Sequence, residues 1–312
     1  MSNQLSNHLT PPGISRRHAL TVGASVLAAT GLAACGSSGG SGSSGGSGGS
    51  SDKALTIGVP AGWDEGIAIS NLFKVILTDE GYDVTLSDAD VGVAYSSLAN
   101  GDYDLMLDAW LPTTHESYMD QYGDKVEDFG AWYTNAKLAL AVNDSAPITS
   151  IAELADSASD FDNRIVGIDA GAGITTQTEE SVIPTYGLDT MEFATSSTSA
   201  MLAELKGAMS KGDNIVVTLW SPHWAYSAYE IRDLEDPENA FGEAEQIHAL
   251  GRQGLSDDMP DIATLFTDFT ITDEQLSSLE DLMLNENEGT DNEGSARTWL
   301  EDNSDFRDSL SI

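Results

Sequence analysis

Between residues 54 and 107 the chain alternates short apolar runs with segments of helical periodicity, and between 165 and 219 it does so again. The first series predicts strands at 54–60, 83–86 and 103–107, with helices at 66–80 and 91–99 between them; Ile67, Leu72, Val75 and Ile76 recur there at helical spacing. The second predicts strands at 165–169, 191–194 and 215–219 and helices at 174–186 and 199–210. A strand followed by a helix and another strand is most simply satisfied by parallel pairing with the helix packed on the sheet face. Two such series of similar size predict an α/β fold of two lobes, not one long sheet, and fall short of the eight units of a β/α barrel. Further strands are expected at 137–142 and 246–250, and three helices at 259–268, 272–285 and 294–303. The expected division is lobe 1 at 53–139 plus 221–312 and lobe 2 at 140–220.

The first fifty-one residues contain no Asp or Glu. Arg16 and Arg17 precede an apolar run at 19–34, a basic region before a short hydrophobic one, which describes an export signal of the twin-arginine kind at 1–34. The run is too short and too rich in small residues to favour a permanent span. It ends in Leu32-Ala33-Ala34-Cys35-Gly36, which resembles a bacterial lipobox, so Cys35 is expected to be cleaved free and lipidated. Residues 36–51 are only Gly and Ser, a flexible coil reaching roughly 20 to 24 Å, and 35–52 reads as a tether between lipid and domain.

Fifty-one acidic residues stand against thirteen Lys and Arg, for a formal net charge of −38. Loss of Arg16 and Arg17 with the signal deepens that to about −40. A phosphate-binding surface needs a cationic patch, so nucleic acid is excluded as a partner. Acids that outnumber bases fourfold must mostly face solvent, a surface suited to high salt, where screening is short-ranged. One cysteine permits no internal disulfide and no cysteine metal cluster, and neither a metal nor a cofactor is expected.

Ligands in open α/β sheets bind outside the carboxyl ends of the strands. Four such ends carry distinctive chemistry: Gly62-Trp63-Asp64-Glu65-Gly66, then Asp108-Ala109-Trp110-Leu111-Pro112 with His115, then Ala170-Gly171-Ala172-Gly173-Ile174-Thr175, and last Thr218-Leu219-Trp220-Ser221-Pro222-His223-Trp224. Three bring tryptophan. Aromatic faces converging on one point form a cage for a cation that cannot donate hydrogen bonds, such as a quaternary ammonium. The glycine loop is either a plain tight turn or a set of backbone amides at the start of a helix, where an anion is favoured. Cage and amides together describe a betaine.

These motifs, in this order over roughly 53–305, resemble the glycine betaine/proline betaine substrate-binding proteins of ABC transporters. The resemblance implies the type II periplasmic-binding-protein fold, two α/β lobes closing on a ligand cleft. It implies an ammonium cage of Trp63, Trp110 and Trp220, and a carboxylate held by the amides of Gly173 and Ile174 and by the imidazole of His115. It implies an importer's permease and ATPase as partners, a lipoprotein on the extracytoplasmic face of the membrane, and uptake of a compatible solute for osmoprotection. Trp224, four residues after Trp220, is the alternative cage wall. Asp64 and Glu65 could serve as ammonium counter-charges or as contacts between lobes. Trp132 and Trp299 read as core, and His223 as a structural hydrogen-bonding residue.

Two other classes remain at this level. A ligand-binding sensor lipoprotein would share every motif. An exported hydrolase could draw on acid pairs such as Asp102/Asp104 or Asp257/Asp258, but so acidic a chain makes such pairs by chance, and no HExxH, CxxC, Walker or GxGxxG motif occurs. The chain is therefore read as a binding protein and not an enzyme.

Overall fold

A computed structural model describes residues 53–312. The expected signal with Arg16 and Arg17, the lipidation site Cys35 and the Gly/Ser tether lie outside the described residues. Among those described, no helix is long and apolar enough to cross a membrane.

The strands are β1 (Ala54–Pro60), β2 (Asp83–Ala89), β3 (Leu105–Leu111), β4 (Val126–Asn143), β5 (Arg164–Gly167), β6 (Glu192–Thr195), β7 (Val216–Ser221), β8 (Ile231–Asp233) and β9 (Glu245–Arg252). They run in the order β2-β1-β3-β9-β4-β7-β5-β6, with β8 beside β4. β1 pairs parallel with β2 and β3, and β5 pairs parallel with β6 and β7, as βαβ units require. β9 runs antiparallel to both β3 and β4. The interior strands are nearly all apolar because helices cover both faces; β3 is buried from Leu105 through Trp110.

β4 joins the two halves. Its first part, to Ala136, pairs with β9 in one lobe, and from Lys137 onward it pairs with β7 and β8 in the other. Asn135, at φ 73°, sits just before the change of partners in the left-handed region that Asn tolerates. Only the second half of this strand carries the apolar run that the sequence pattern picks out; the first mixes acids, Gly and aromatics on a half-exposed stretch. β8 also bears on the lobe division. It pairs with the distal part of β4, and Ser150 bridges to Glu235, so the chain stays with the second sheet past residue 221 and returns only in the connection between β8 and β9.

The helices are α1 (Asp64–Asp79), α2 (Val91–Asn100), α3 (Glu116–Tyr122), α4 (Gly173–Gln177), α5 (Ile183–Tyr186), α6 (Thr198–Lys211), α7 (Ala225–Ala228), α8 (Leu255–Asp258), α9 (Pro260–Asp268), α10 (Asp273–Glu280), α11 (Asn292–Asp302) and α12 (Ser304–Asp308). A wide helical turn at Thr178–Val182 makes α4 and α5 one rod. α6 begins at Ser197, whose hydroxyl accepts the Ala200 N–H, and stops at Gly212, φ 73°. α10 opens with a reciprocal capping box between Thr272 and Gln275. The carboxy-terminal helices pack back on the first lobe: Phe73 of α1 meets Phe266 and Phe269 with ring centroids 4.7 Å apart in each case. Trp132 stacks on Phe269 and donates its indole N–H to the Leu107 carbonyl at 2.7 Å; Trp299 packs against Phe306 and donates to Ser278 Oγ at 2.8 Å. Both are core residues, and each such side chain adds about 1.5–3 kcal/mol of burial.

Candidate ligand-binding cleft

Trp63, Glu65, Trp110, Thr114, Leu138, Ile168, Ala172, Gly173, Ile174 and Trp220 line one cleft. Trp63 sits just before the first turn of α1, where β1 has ended in the turn at Gly62. Trp110 lies near the end of β3 and Trp220 near the end of β7. Each of those two is followed two positions later by a proline in a cis peptide, Leu111–Pro112 and Ser221–Pro222. The three indoles anticipated from sequence thus come from three strand ends to one cavity.

A single carboxylate organises two of them. Glu65 Oε1 accepts the Trp110 indole N–H at 3.1 Å, and Oε2 accepts that of Trp220 at 2.8 Å. Asp108 Oδ1 shares the Trp110 N–H at 3.0 Å. Glu65 is therefore both a wall of the cleft and a contact between lobes, the second of the two roles that its position beside Trp63 left open. Both indoles are fixed edge-first to the carboxylate. Trp224 does not line the cleft. It donates its indole N–H to Asp64 Oδ2 and lies behind, which leaves Trp220 as the wall.

The glycine loop reaches the same cleft through Ala172, Gly173 and Ile174. Gly173 and Ile174 begin α4, so their amides have no carbonyl one turn earlier in the helix to accept them. Gly173 is obligatory for packing, because a Cβ would run into the Thr114 side chain and carbonyl from the facing lobe. Glu245 pins that facing segment, accepting the N–H of Thr113 at 2.9 Å, the N–H of Thr114 at 3.0 Å and the Thr114 hydroxyl at 2.6 Å. Tyr118 adds a further contact between the lobes by donating to the Gly171 carbonyl at 3.0 Å.

His115 lies one layer back. It is wholly buried and stacks on Trp63 without lining the cleft itself. Nδ1 accepts the Trp110 backbone N–H at 2.9 Å, with the Tyr95 hydroxyl at 3.1 Å, and burial pushes the imidazole down to about 3. The ring is neutral with its proton on Nε2, and that N–H has no partner. His223 is built alike but elsewhere. Its Nδ1 accepts the Ala225 N–H at 3.0 Å, and Nε2 lies 3.4 Å from Asp64 Oδ2.

Sequence reasoning placed Thr114 and Ala172 in strand-end motifs without giving them a lining role, and did not reach Leu138 or Ile168, nor Glu245 and Glu280 behind the cleft. Ile168 follows from the strand-end rule once β5 is placed, and Leu138 from its pairing opposite Trp220. Glu280 carries no local signal at all.

Two α/β lobes sharing a strand, with an aromatic cleft between them, define a solute-binding protein of the periplasmic type. The chain belongs to the OpuAC family, described as the substrate binding domain of ABC-type glycine betaine transport system, whose model matches residues 53–302. Among solved structures it is similar to the glycine betaine, L-proline ABC transporter binding protein (ProX) from Borrelia burgdorferi, at TM-score 0.76 and 33% identity over 82% of this chain and 96% of that one. It is similar to lactococcal OpuAC in its closed-liganded conformation complexed with glycine betaine, at TM-score 0.76 and 30% identity over 82% and 98%. A glycine betaine/carnitine transport binding protein, GbuC of Listeria monocytogenes, is 41% identical over 143 residues, 45% of this chain and 46% of that protein. The matched stretch thus spans about half the length of that relative. The family is one of extracytoplasmic substrate-binding proteins of ABC importers and not of enzymes, which sets the hydrolase reading aside.

Proposed function

We propose that this chain captures glycine betaine or a related quaternary-ammonium solute for an ABC importer. The observation that carries the reading is the convergence of Trp63, Trp110 and Trp220 on one cleft that Gly173 and Ile174 also line. In this reading the indole faces hold the methylated ammonium by cation–π attraction. The carboxylate is taken by the amides of Gly173 and Ile174 and by the Nε2–H of His115, which closure would bring to it. Neutral His115 suits that role, since it donates a hydrogen bond without adding charge.

The leader completes the picture: export by the twin-arginine route, lipidation at Cys35, and a Gly/Ser tether that leaves the domain free to meet a permease and its ATPase at the outer face of the membrane. The acidic surface fits a salt-rich medium, where such a solute serves osmoprotection. Strand pairing supports a division into lobes of 53–136 with 245–312 and of 137–244. A choline-binding relative, 27% identical with TM-score 0.73, places choline in the ligand set to be tested. Isothermal titration against glycine betaine, proline betaine, carnitine, choline and a non-ammonium control such as glutamate decides the matter. Tight binding of a betaine with weaker choline supports the reading, and no binding of any quaternary ammonium ends it.

A further inference from the structure

Behind the cage lies a group of buried acids that solute capture by indole faces does not by itself require. Glu65 and Asp64 come from the first turn of α1, Asp108 from β3 and Glu280 from the end of α10. All four are buried, and Glu65 and Asp108 share the one N–H of Trp110. Asp108 Oδ2, which lies against Gly66 where a Cβ has no room, makes no hydrogen bond, and neither oxygen of Glu280 makes one. Among the described residues no lysine or arginine pairs with any of the four, and no group of acids and histidines is placed to hold a metal ion.

Other titratable groups around the cluster offer no compensation. His115 and His223 are held neutral by burial, and Tyr95 and Tyr133 have their hydroxyls pushed up by burial with nearby acids adding to it. Asp169, in the loop after β5, is also raised by burial. Four unpaired carboxylates cannot all be charged in such a space. Burial raises Asp64 and Asp108 to about 7, and burial with like charges raises Glu65 and Glu280 as well. Glu65 is the best fitted to be ionised, since each of its oxygens accepts an indole N–H.

We propose that these four carboxyls are a proton store coupled to the cage, so that arrival of a quaternary ammonium beside Glu65 ionises the cluster further and releases protons to solvent. The inference rests on the cage reading above. Glu65 lines the cleft, so a fixed positive charge in it stands beside that carboxyl and favours carboxylate over carboxylic acid there. The O–H of a buried acid breaks, its electrons stay on the carboxylate, and the proton passes to the buffer. A ligand of net positive charge drives this harder than a zwitterion whose own carboxylate offsets its ammonium. By linkage, a complex that holds fewer protons than the free protein gains affinity as pH rises.

The test is titration calorimetry of the full chain with choline and with glycine betaine at pH 6.5, 7 and 7.5, in phosphate and in MOPS, whose ionisation heats differ. The expected result is a binding heat that differs between buffers, release of about half a proton per choline, less for glycine betaine, and choline affinity rising roughly threefold per pH unit. Glu65→Gln and Asp108→Asn should each reduce proton release by more than half. A merely structural role would lower affinity while leaving the pH slope intact. Heats that agree between buffers, with pH-flat affinity for both ligands in the unmodified protein, overturn the proposal and leave the cage reading standing. Failure of both ligands to bind removes the cage reading and this inference together.

Discussion

His115 stacks on Trp63 with ring centroids 5.3 Å apart and planes 18° from parallel. The imidazole with the unpartnered N–H is thus mounted on a wall of the cleft, and in the proposed reading the two halves of a betaine would be met by residues packed on one another. His115→Phe keeps a ring against Trp63 and removes the N–H. It should weaken glycine betaine by about 1–3 kcal/mol, the range for a hydrogen bond to a charged group, and leave choline nearly unchanged. His115→Ala should impair both ligands, because Trp63 loses its backing. Titration of both ligands against both variants checks the pattern.

Trp63→Ala, Trp110→Ala and Trp220→Ala should each cost about 2 kcal/mol of binding, roughly thirtyfold in affinity. Trp224, which lies behind the cleft on Asp64, should cost less than Trp220 when replaced by Ala, and Trp132→Ala should leave affinity near that of the parent in the folded fraction. Fluorescence titration ranks the five. A Trp224 variant weaker than the Trp220 variant would move the cage wall.

Gly173→Ala puts a methyl into Thr114 of the facing lobe. The lobes would have to part to admit it, so ligand affinity should fall at least tenfold while the unfolding midpoint without ligand moves little. Small-angle scattering with saturating ligand should show the variant more open than the parent.

Asp64 and Asp108, pushed up to about 7 by burial, bind protons in the folded state that the unfolded chain has shed above about pH 4. Their stabilising contribution is complete below about pH 4 and is lost as pH rises through about 7, at up to about 1.4 kcal/mol per pH unit for each group. Asp108→Asn removes one of these titrations. Urea unfolding without ligand at pH 5, 6, 7 and 8 should show the variant gaining on the parent as pH rises, and parallel curves would contradict the assignment.

Surface charge and recognition should separate with salt. Raising salt from about 0.1 to 1 M screens a net −38 and should raise the thermal midpoint. Affinity for a zwitterion held by indole faces should change little. Affinity that collapses while the midpoint stays flat would assign cation capture to the acidic surface.

The parts of this fold that sequence revealed are those where one physical demand dominates. β1 and β7 are largely buried and read as mostly apolar runs, and the three cleft tryptophans stand out because a large ring at a strand end is costly unless it has a use. The first half of β4 was hidden because its residues answer to two demands, pairing with β9 and facing solvent. β8 is three residues long and α3 has no buried residue, so neither leaves a periodic trace. Glu280 was illegible for another reason: among fifty-one acids on a chain with an acidic surface, nothing marks the one that folds inward from 215 residues beyond Glu65.

β4 passes unbroken from one lobe to the other, with Asn135 kinked just ahead of the point where its partner changes from β9 to β7. The lobes are consequently joined by a ribbon with a preset fold line, like a leaf spring and unlike a chain link. Parting of the lobes about that line would separate Trp220 from Glu65, and the shared strand would return the two to the same register.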